Sequence, residues 1–135
     1  MKKLSVIIPC YNEAKSLPLL ISRCEKVVAL EKNVEFIIVD NGSTDDTQVV
    51  IKELTSKLYF IKTVNVKVNK GYGYGILSGL QVAKGEILSW THADLQTDPV
   101  DLLNGLNFFK SNANMELLFV KGKRHGRPFL DIIFT

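Results

Sequence analysis

The run Val34-Glu35-Phe36-Ile37-Ile38-Val39 restricts the possible folds more than any other part of the chain. It is almost uniformly apolar, with no alternation that would leave one face to water. A strand of that kind is covered on both sides, which places it in a parallel sheet flanked by helices. The neighbouring segments agree. Residues 4–9 read as a strand that ends at Pro9, because proline cannot continue a ladder. Ser16 is a candidate cap for a following helix, with Pro18 tolerated in its first turn. Leu17, Leu20, Ile21, Cys24, Val27 and Val28 then fall on one helical face.

Past the apolar run, Asp40-Asn41-Gly42-Ser43-Thr44-Asp45-Asp46 is a polar turn carrying a capping signal, Ser43 with Asp46 three residues later. Val50, Ile51, Leu54 and Leu58 supply the next helical stripe, and residues 59–66 alternate as a third, less buried strand. Asn69-Lys70-Gly71-Tyr72-Gly73-Tyr74-Gly75 reads as a glycine-dense loop, with a helix starting around Ile76, Leu77 and Leu80. Residues 86–90 form a short buried strand. A helix after Pro99 carries Leu102, Leu103, Leu106 and Phe109, and residues 115–120 form a last strand before the basic loop 121–128.

Strands alternating with helices in this way make an α/β protein, an open and mainly parallel sheet with right-handed crossovers. In such sheets ligands bind beyond the carboxyl ends of the strands. The polar loops after Pro9, Val39 and Trp90, and the basic loop after Val120, all fall on that edge. Within 91–97, His92, Asp94 and Gln96 are spaced two apart, and in extended backbone they would point the same way. An imidazole, a carboxylate and an amide oxygen can hold a divalent cation with positions left open. The alternative is a polar strand-to-helix turn, with Asp98 and Pro99 opening the next helix.

Composition limits the remaining choices. The chain has 135 residues, enough for one domain and little more, with 46% hydrophobic and 23% charged residues. A net charge of +3 does not argue for nucleic acid. Behind Met1-Lys2-Lys3, the run Val6-Ile7-Ile8 is too short for a signal peptide or a membrane span, so a cytoplasmic chain is expected. Cys10 and Cys24 have no CxxC spacing and read as small buried hydrophobes. A phosphoacceptor receiver domain is disfavoured: it needs an acidic pair after the first strand, where this chain has Pro9-Cys10-Tyr11.

Four segments together carry a family resemblance: Ser5-Val6-Ile7-Ile8-Pro9-Cys10-Tyr11-Asn12-Glu13, Ile37-Ile38-Val39-Asp40-Asn41-Gly42-Ser43-Thr44-Asp45, the glycine stretch from Asn69, and His92-Ala93-Asp94-Leu95-Gln96. They resemble the family 2 glycosyltransferases, which have the Rossmann-like GT-A nucleotide-sugar fold, and among these the polyprenyl- and dolichyl-phosphate sugar transferases. The resemblance implies transfer from a UDP- or GDP-sugar, with inversion, to an acceptor such as a polyprenyl phosphate. It implies that Pro9, Tyr11, Glu13, Val39, Asp40, Asn41, Lys70, His92, Ala93, Asp94 and Arg124 bind the nucleotide sugar. Asp94 and Arg124 would serve catalysis, and His92, Asp94 and Gln96 would hold Mn²⁺ or Mg²⁺.

Two positions depart from the family pattern. Asn41 stands where a second acid is common, and His92 replaces the first acid of the metal motif, an exchange that favours Mn²⁺. Because the acceptor half of such enzymes lies beyond the metal motif, residues 1–135 are expected to be a donor-binding portion, with membrane contact only through regions not present. The alternative is a non-catalytic nucleotide-binding or interaction module.

Overall fold

A computed structural model describes residues 3–112 and 118–122. The chain divides into two compact units, Met1–Leu103 and Asn104–Thr135. In the first, β1 (Leu4–Cys10), α1 (Leu17–Leu30), β2 (Val34–Asn41), α2 (Thr47–Thr55), β3 (Ile61–Val66), α3 (Tyr72–Leu80) and β4 (Ile87–Trp90) alternate as expected. A 3-10 turn, Pro99–Asp101, then leads into α4 (Leu102–Ser111). Asp98 opens that turn by accepting from the Val100 N–H at 3.0 Å.

The strands form one parallel sheet in the order β3-β2-β1-β4. The two apolar strands, β1 and β2, are central and wholly buried. Ile7, Ile37 and Val39 form a buried cluster with Leu80 and Ala83, while α1 and α2 pack against each other. Right-handed crossovers put α1 and α2 on one face and α3, which returns across the sheet to reach β4, on the other. Gly79 is what allows α3 to lie so close: a Cβ there would stand 2.5 Å from Ile7 Cγ2.

The structure corrects several boundaries. β1 does not end at Pro9 but continues to Cys10, with Pro9 in register with Val39. In a parallel ladder successive residues turn their N–H and C=O groups to opposite neighbours. The Ile7 carbonyl accepts from Thr91, on the β4 side, at 3.0 Å, so Pro9 also faces β4. Pairing with β4 has ended there, at Ile7 with Trp90. The missing N–H therefore costs no ladder bond.

The glycine stretch is not all loop, since α3 begins at Tyr72 and includes Gly73 and Gly75. β4 is only half buried, with Leu88 49% and Trp90 45% exposed, because among the described residues it pairs only with β1. Ser16 does not cap α1 with its side chain; its hydroxyl donates to the Glu13 carboxylate at 2.7 Å. Ser43 does not cap α2, which starts at Thr47 with the Thr47 N–H bonded to Asp45 at 2.9 Å. Of the expected last strand, residues 118–120 have no regular secondary structure, and 115–117 lie outside the described residues.

Candidate functional site

Beyond Ile7, β1 and β4 part, and a cleft of about 200 Å³ opens at the carboxyl rim of the sheet. It is lined by Pro9, Cys10, Tyr11 and Glu13 from the end of β1 and by Asn41 from the end of β2. Asn69 and Tyr72 join from the turn into α3, and His92, Ala93 and Asp94 from beyond β4. The place is a topological switch point: from β1 the chain steps outward to β2 and β3, and α3 then carries it back to β4 on the other side of β1.

The loops that shape the cleft are held by side chains outside it. Asn12, at φ 53°, occupies the left-handed region that asparagine tolerates better than most residues. Its N–H donates to Ser43 Oγ at 3.0 Å, and its Oδ1 accepts from the Thr44 N–H at 2.9 Å. The Glu13 N–H donates to Thr47 Oγ1 at 2.8 Å. The loop carrying Tyr11 and Glu13 is thereby fixed to the loop following β2. Gly42, at φ 72°, brings that second loop against the backbone of Asn69, where a Cβ would collide with the Asn69 nitrogen.

Asn41 is 3% exposed. Its Nδ2 donates to the Gly71 carbonyl at 2.8 Å, which ties the end of β2 to the start of α3. Its Oδ1 is buried without a hydrogen-bond partner. Such atoms are scarce because each carries a desolvation cost. Asp40, by contrast, is occupied structurally: Oδ1 accepts from the Ser43 N–H at 3.0 Å and Oδ2 from Asn65 Nδ2 at 3.4 Å.

The segment after β4 is not extended. Asp94 Oδ1 accepts from the Gln96 N–H at 3.1 Å, Leu95 sits at φ 61°, and the Thr91 and Thr97 hydroxyls meet at 2.8 Å. A closed turn of this kind destroys the period-two alignment expected for His92, Asp94 and Gln96. His92 and Asp94 still line the cleft, whereas Gln96 is not among its lining residues. The His92 ring stacks on Tyr72, with centroids 4.9 Å apart and planes 8° from parallel. Among the described residues no three His, Cys, Asp or Glu side chains group as a ready-made cation site. Asp94 and His92 supply two donors of types that suit Mn²⁺, so a cation here would take its other ligands from a bound molecule.

Of the residues expected to bind a nucleotide sugar, Pro9, Tyr11, Glu13, Asn41, His92, Ala93 and Asp94 are brought together. Val39 is not: its side chain lies in the core beneath α3. Lys70 is exposed, its Nζ 4.8 Å from the centre of the Tyr74 ring, and does not line the cleft. Arg124 lies outside the described residues. Sequence reasoning missed Asn69 and Tyr72 as lining residues. The glycine-dense stretch is the available signal for both, and by itself it gives only a loop. Cys10 also reaches the cleft, but burial first, then the Glu13 and Asp40 charges, push its thiol far above the ordinary range. It is an inert packing group, like Cys24, which burial pushes up to about 12.

Residues 5–128 match the family model described as Glycosyl transferase family 2. The chain is 37% identical over 108 residues to the undecaprenyl-phosphate 4-deoxy-4-formamido-L-arabinose transferase of Aeromonas hydrophila, covering 76% of this chain and 32% of that protein. It is 34% identical over 105 residues to the Proteus mirabilis protein of the same name, with the same coverage. The chain thus spans about a third of the length of the curated relatives it matches. Among solved structures it is similar to the Pyrobaculum calidifontis mannosyltransferase PcManGT in complex with GDP-Man and Mn²⁺. That match has a TM-score of 0.72 at 23% identity over 83% of this chain and 33% of that one, a likeness of fold. It is also similar to S. aureus TarS in complex with UDP, with a TM-score of 0.68 at 26% identity over 81% of this chain and 32% of that one.

Proposed function

The chain belongs to glycosyl transferase family 2, and from that premise we propose that its cleft receives the nucleotide diphosphate of a UDP- or GDP-sugar. The sugar is then transferred, with inversion, to a polyprenyl phosphate. The observation that carries this reading is the convergence of Tyr11, Asn41 and Asp94, from the ends of three different strands, on one cleft at the switch point. Turns that served only to connect strands and helices would have no reason to share a buried acceptor, an aromatic ring and a carboxylate.

The chain's own groups divide the work. Tyr11, 46% exposed, offers its ring to the base or ribose, and Glu13 offers carboxylate oxygens to ribose hydroxyls. Asn41 reads the base edge. Asp94, with His92 beside it held flat against Tyr72, would hold a divalent cation. That cation, Mn²⁺ or Mg²⁺, supplies charge neutralisation for the departing diphosphate. By the family resemblance the same electrostatic task is assigned to Arg124, which lies outside the described residues. A polyprenyl phosphate is already anionic near neutral pH, so an acceptor of that kind needs no carboxylate base to attack the anomeric carbon. The named relatives, which act on undecaprenyl phosphate, support that acceptor class. Among the described residues no helix is long and apolar enough to cross a membrane. As the chain spans about a third of the length of the named relatives, we assign contact with the lipid, at the cytoplasmic face, to regions of the enzyme outside residues 1–135.

Thermal denaturation of the purified chain with UDP- and GDP-sugars, with and without Mn²⁺, tests the reading. Stabilisation that requires nucleotide and metal together is expected, and Asp94→Ala should abolish the metal-dependent part. Indifference to every nucleotide and to Mn²⁺ would refute the donor site and leave an interaction module.

A further inference from the structure

Residues 91–97, which carry His92 and Asp94, form a turn that its backbone alone would not keep. Leu95 sits at φ 61°, in the left-handed region that a bulky side chain enters only at a cost. Such a conformation persists where its surroundings hold it. Two bonds do so here. Within the turn, Asp94 Oδ1 accepts from the Gln96 N–H at 3.1 Å. Across its neck, the Thr91 and Thr97 hydroxyls meet at 2.8 Å. Thr91 is the fixed side of that pair: it is 7% exposed, and its N–H donates to the Ile7 carbonyl of β1 at 3.0 Å. Its hydroxyl therefore draws the far limb of the turn back to the end of the sheet. The next residue, Asp98, meets Arg23 of α1 at 3.4 Å, but both side chains are 36% exposed, and a pair of that kind holds little. His92, Ala93 and Asp94 all line the cleft and lie between the two threonines, neither of which lines it.

Resting on the donor-site reading above, we propose that Thr97 is a positioning residue for the cation. Its hydroxyl, bonded to Thr91, keeps the turn closed so that His92 and Asp94 are presented to the cleft together, while Thr97 itself stays behind them. Without that bond Leu95 returns to an ordinary φ, the Asp94–Gln96 turn opens, and the carboxylate leaves its place beside the imidazole. Metal ligands depend in this way on the groups behind them, which set their orientation before an ion arrives. A hydroxyl can donate and accept, so either threonine serves as donor and a serine at position 97 suffices. Valine has the same shape as threonine and cannot make the bond.

Thermal denaturation of the chain at saturating UDP or GDP, repeated as Mn²⁺ is raised, gives a midpoint in Mn²⁺ concentration. Thr97→Val should raise that midpoint by about tenfold or more, the usual scale for removing a group that orients a metal ligand. Thr97→Ser, which keeps the hydroxyl, should leave it where it is in the unaltered chain. The double variant Thr91→Val/Thr97→Val separates position from stability. Removing both partners at constant shape strands no hydroxyl. Its melting temperature without ligand should therefore match that of the unaltered chain, while its Mn²⁺ midpoint stays raised. A midpoint unmoved in Thr97→Val and in the double variant, even with a lowered melting temperature, would make the bond merely structural. That result overturns the proposal and leaves the donor site standing, as does a raised midpoint that Thr97→Ser shares. An unaltered chain indifferent to nucleotide and Mn²⁺ would remove the donor site itself, and this inference with it.

Discussion

The two ends of the same sheet treat buried polar groups in opposite ways. At the amino end, Glu35 lies inside the apolar run with its side chain 3% exposed, and every contact it makes is matched. Oε1 accepts from Ser5 Oγ at 2.6 Å and from the Lys84 N–H at 2.7 Å, and Oε2 meets Lys62 Nζ at 2.8 Å. Ser5 Oγ in turn accepts from the Gly85 N–H at 2.8 Å. One carboxylate thus joins β1, β2, β3 and the turn between α3 and β4. At the carboxyl end, Asn41 is as deeply buried yet keeps an oxygen unpaired, and Asp94 is exposed. A satisfied network specifies and stabilises a structure, whereas an unsatisfied one retains binding capacity for something else. The amino end is built for the fold and the carboxyl end for a ligand.

Substitutions can break that contrast. The largest effect is expected for Glu35→Ala, which leaves the Lys62 ammonium with only the Val82 carbonyl and takes the acceptor from the Ser5 hydroxyl. It should cost about 3 kcal/mol in chemical denaturation, at the low end for a broken buried pair because Lys62 is about one-third exposed. Nucleotide affinity per folded molecule should not change. Gly79→Ala comes next: its methyl would overlap Ile7, and overpacking of this kind costs about 1–3 kcal/mol. Asn12→Ala should lose about 1–2 kcal/mol through the missing inter-loop bonds and the strained φ. It should also weaken nucleotide binding, since Tyr11 and Glu13 flank it. Asp94→Ala should shift the unfolding free energy by less than about 0.5 kcal/mol, as exposed substitutions do, while removing Mn²⁺-dependent stabilisation.

The pH dependence sharpens the same comparison. Burial by itself would raise the Glu35 carboxyl, but hydrogen bonds from Lys62, Ser5 and the Lys84 N–H outweigh it and hold the group below its ordinary value of 4.5. A carboxyl lowered on folding contributes stability that is fully present above that ordinary value and is lost as pH falls through the lower, folded one. Acid unfolding of the unaltered chain should therefore contain a component that Glu35→Gln lacks, measurable as a smaller loss of stability on acidification.

How much of this was legible beforehand differs by element. The buried strands were readable because continuous apolar runs report burial directly. The α1 stripe was readable because 3.6-residue spacing reports one face. The rim could be nominated because in a parallel α/β sheet every polar loop after a strand falls on it, and Asp94 from its spacing with His92 and Gln96, whereas Tyr11 and Asn41 were singled out there by the family resemblance. Glu35 was hidden for the opposite reason: a lone acid in an apolar run gives no sign of partners 30 residues before it and 49 after it. The closed turn at 91–97 was hidden because side-chain spacing cannot distinguish extended backbone from a turn held by the Asp94 carboxylate and the Leu95 conformation.

Order of elements, parallel pairing and the rim on which a ligand would sit were set by composition and periodicity, which are local properties that each segment carries wherever it lies. Which polar atoms are satisfied and which are left over was decided only in three dimensions. Hydrogen-bond balance is a sum over partners distant in the chain: Asn41 with Gly71, and Asn12 with Ser43 and Thr44.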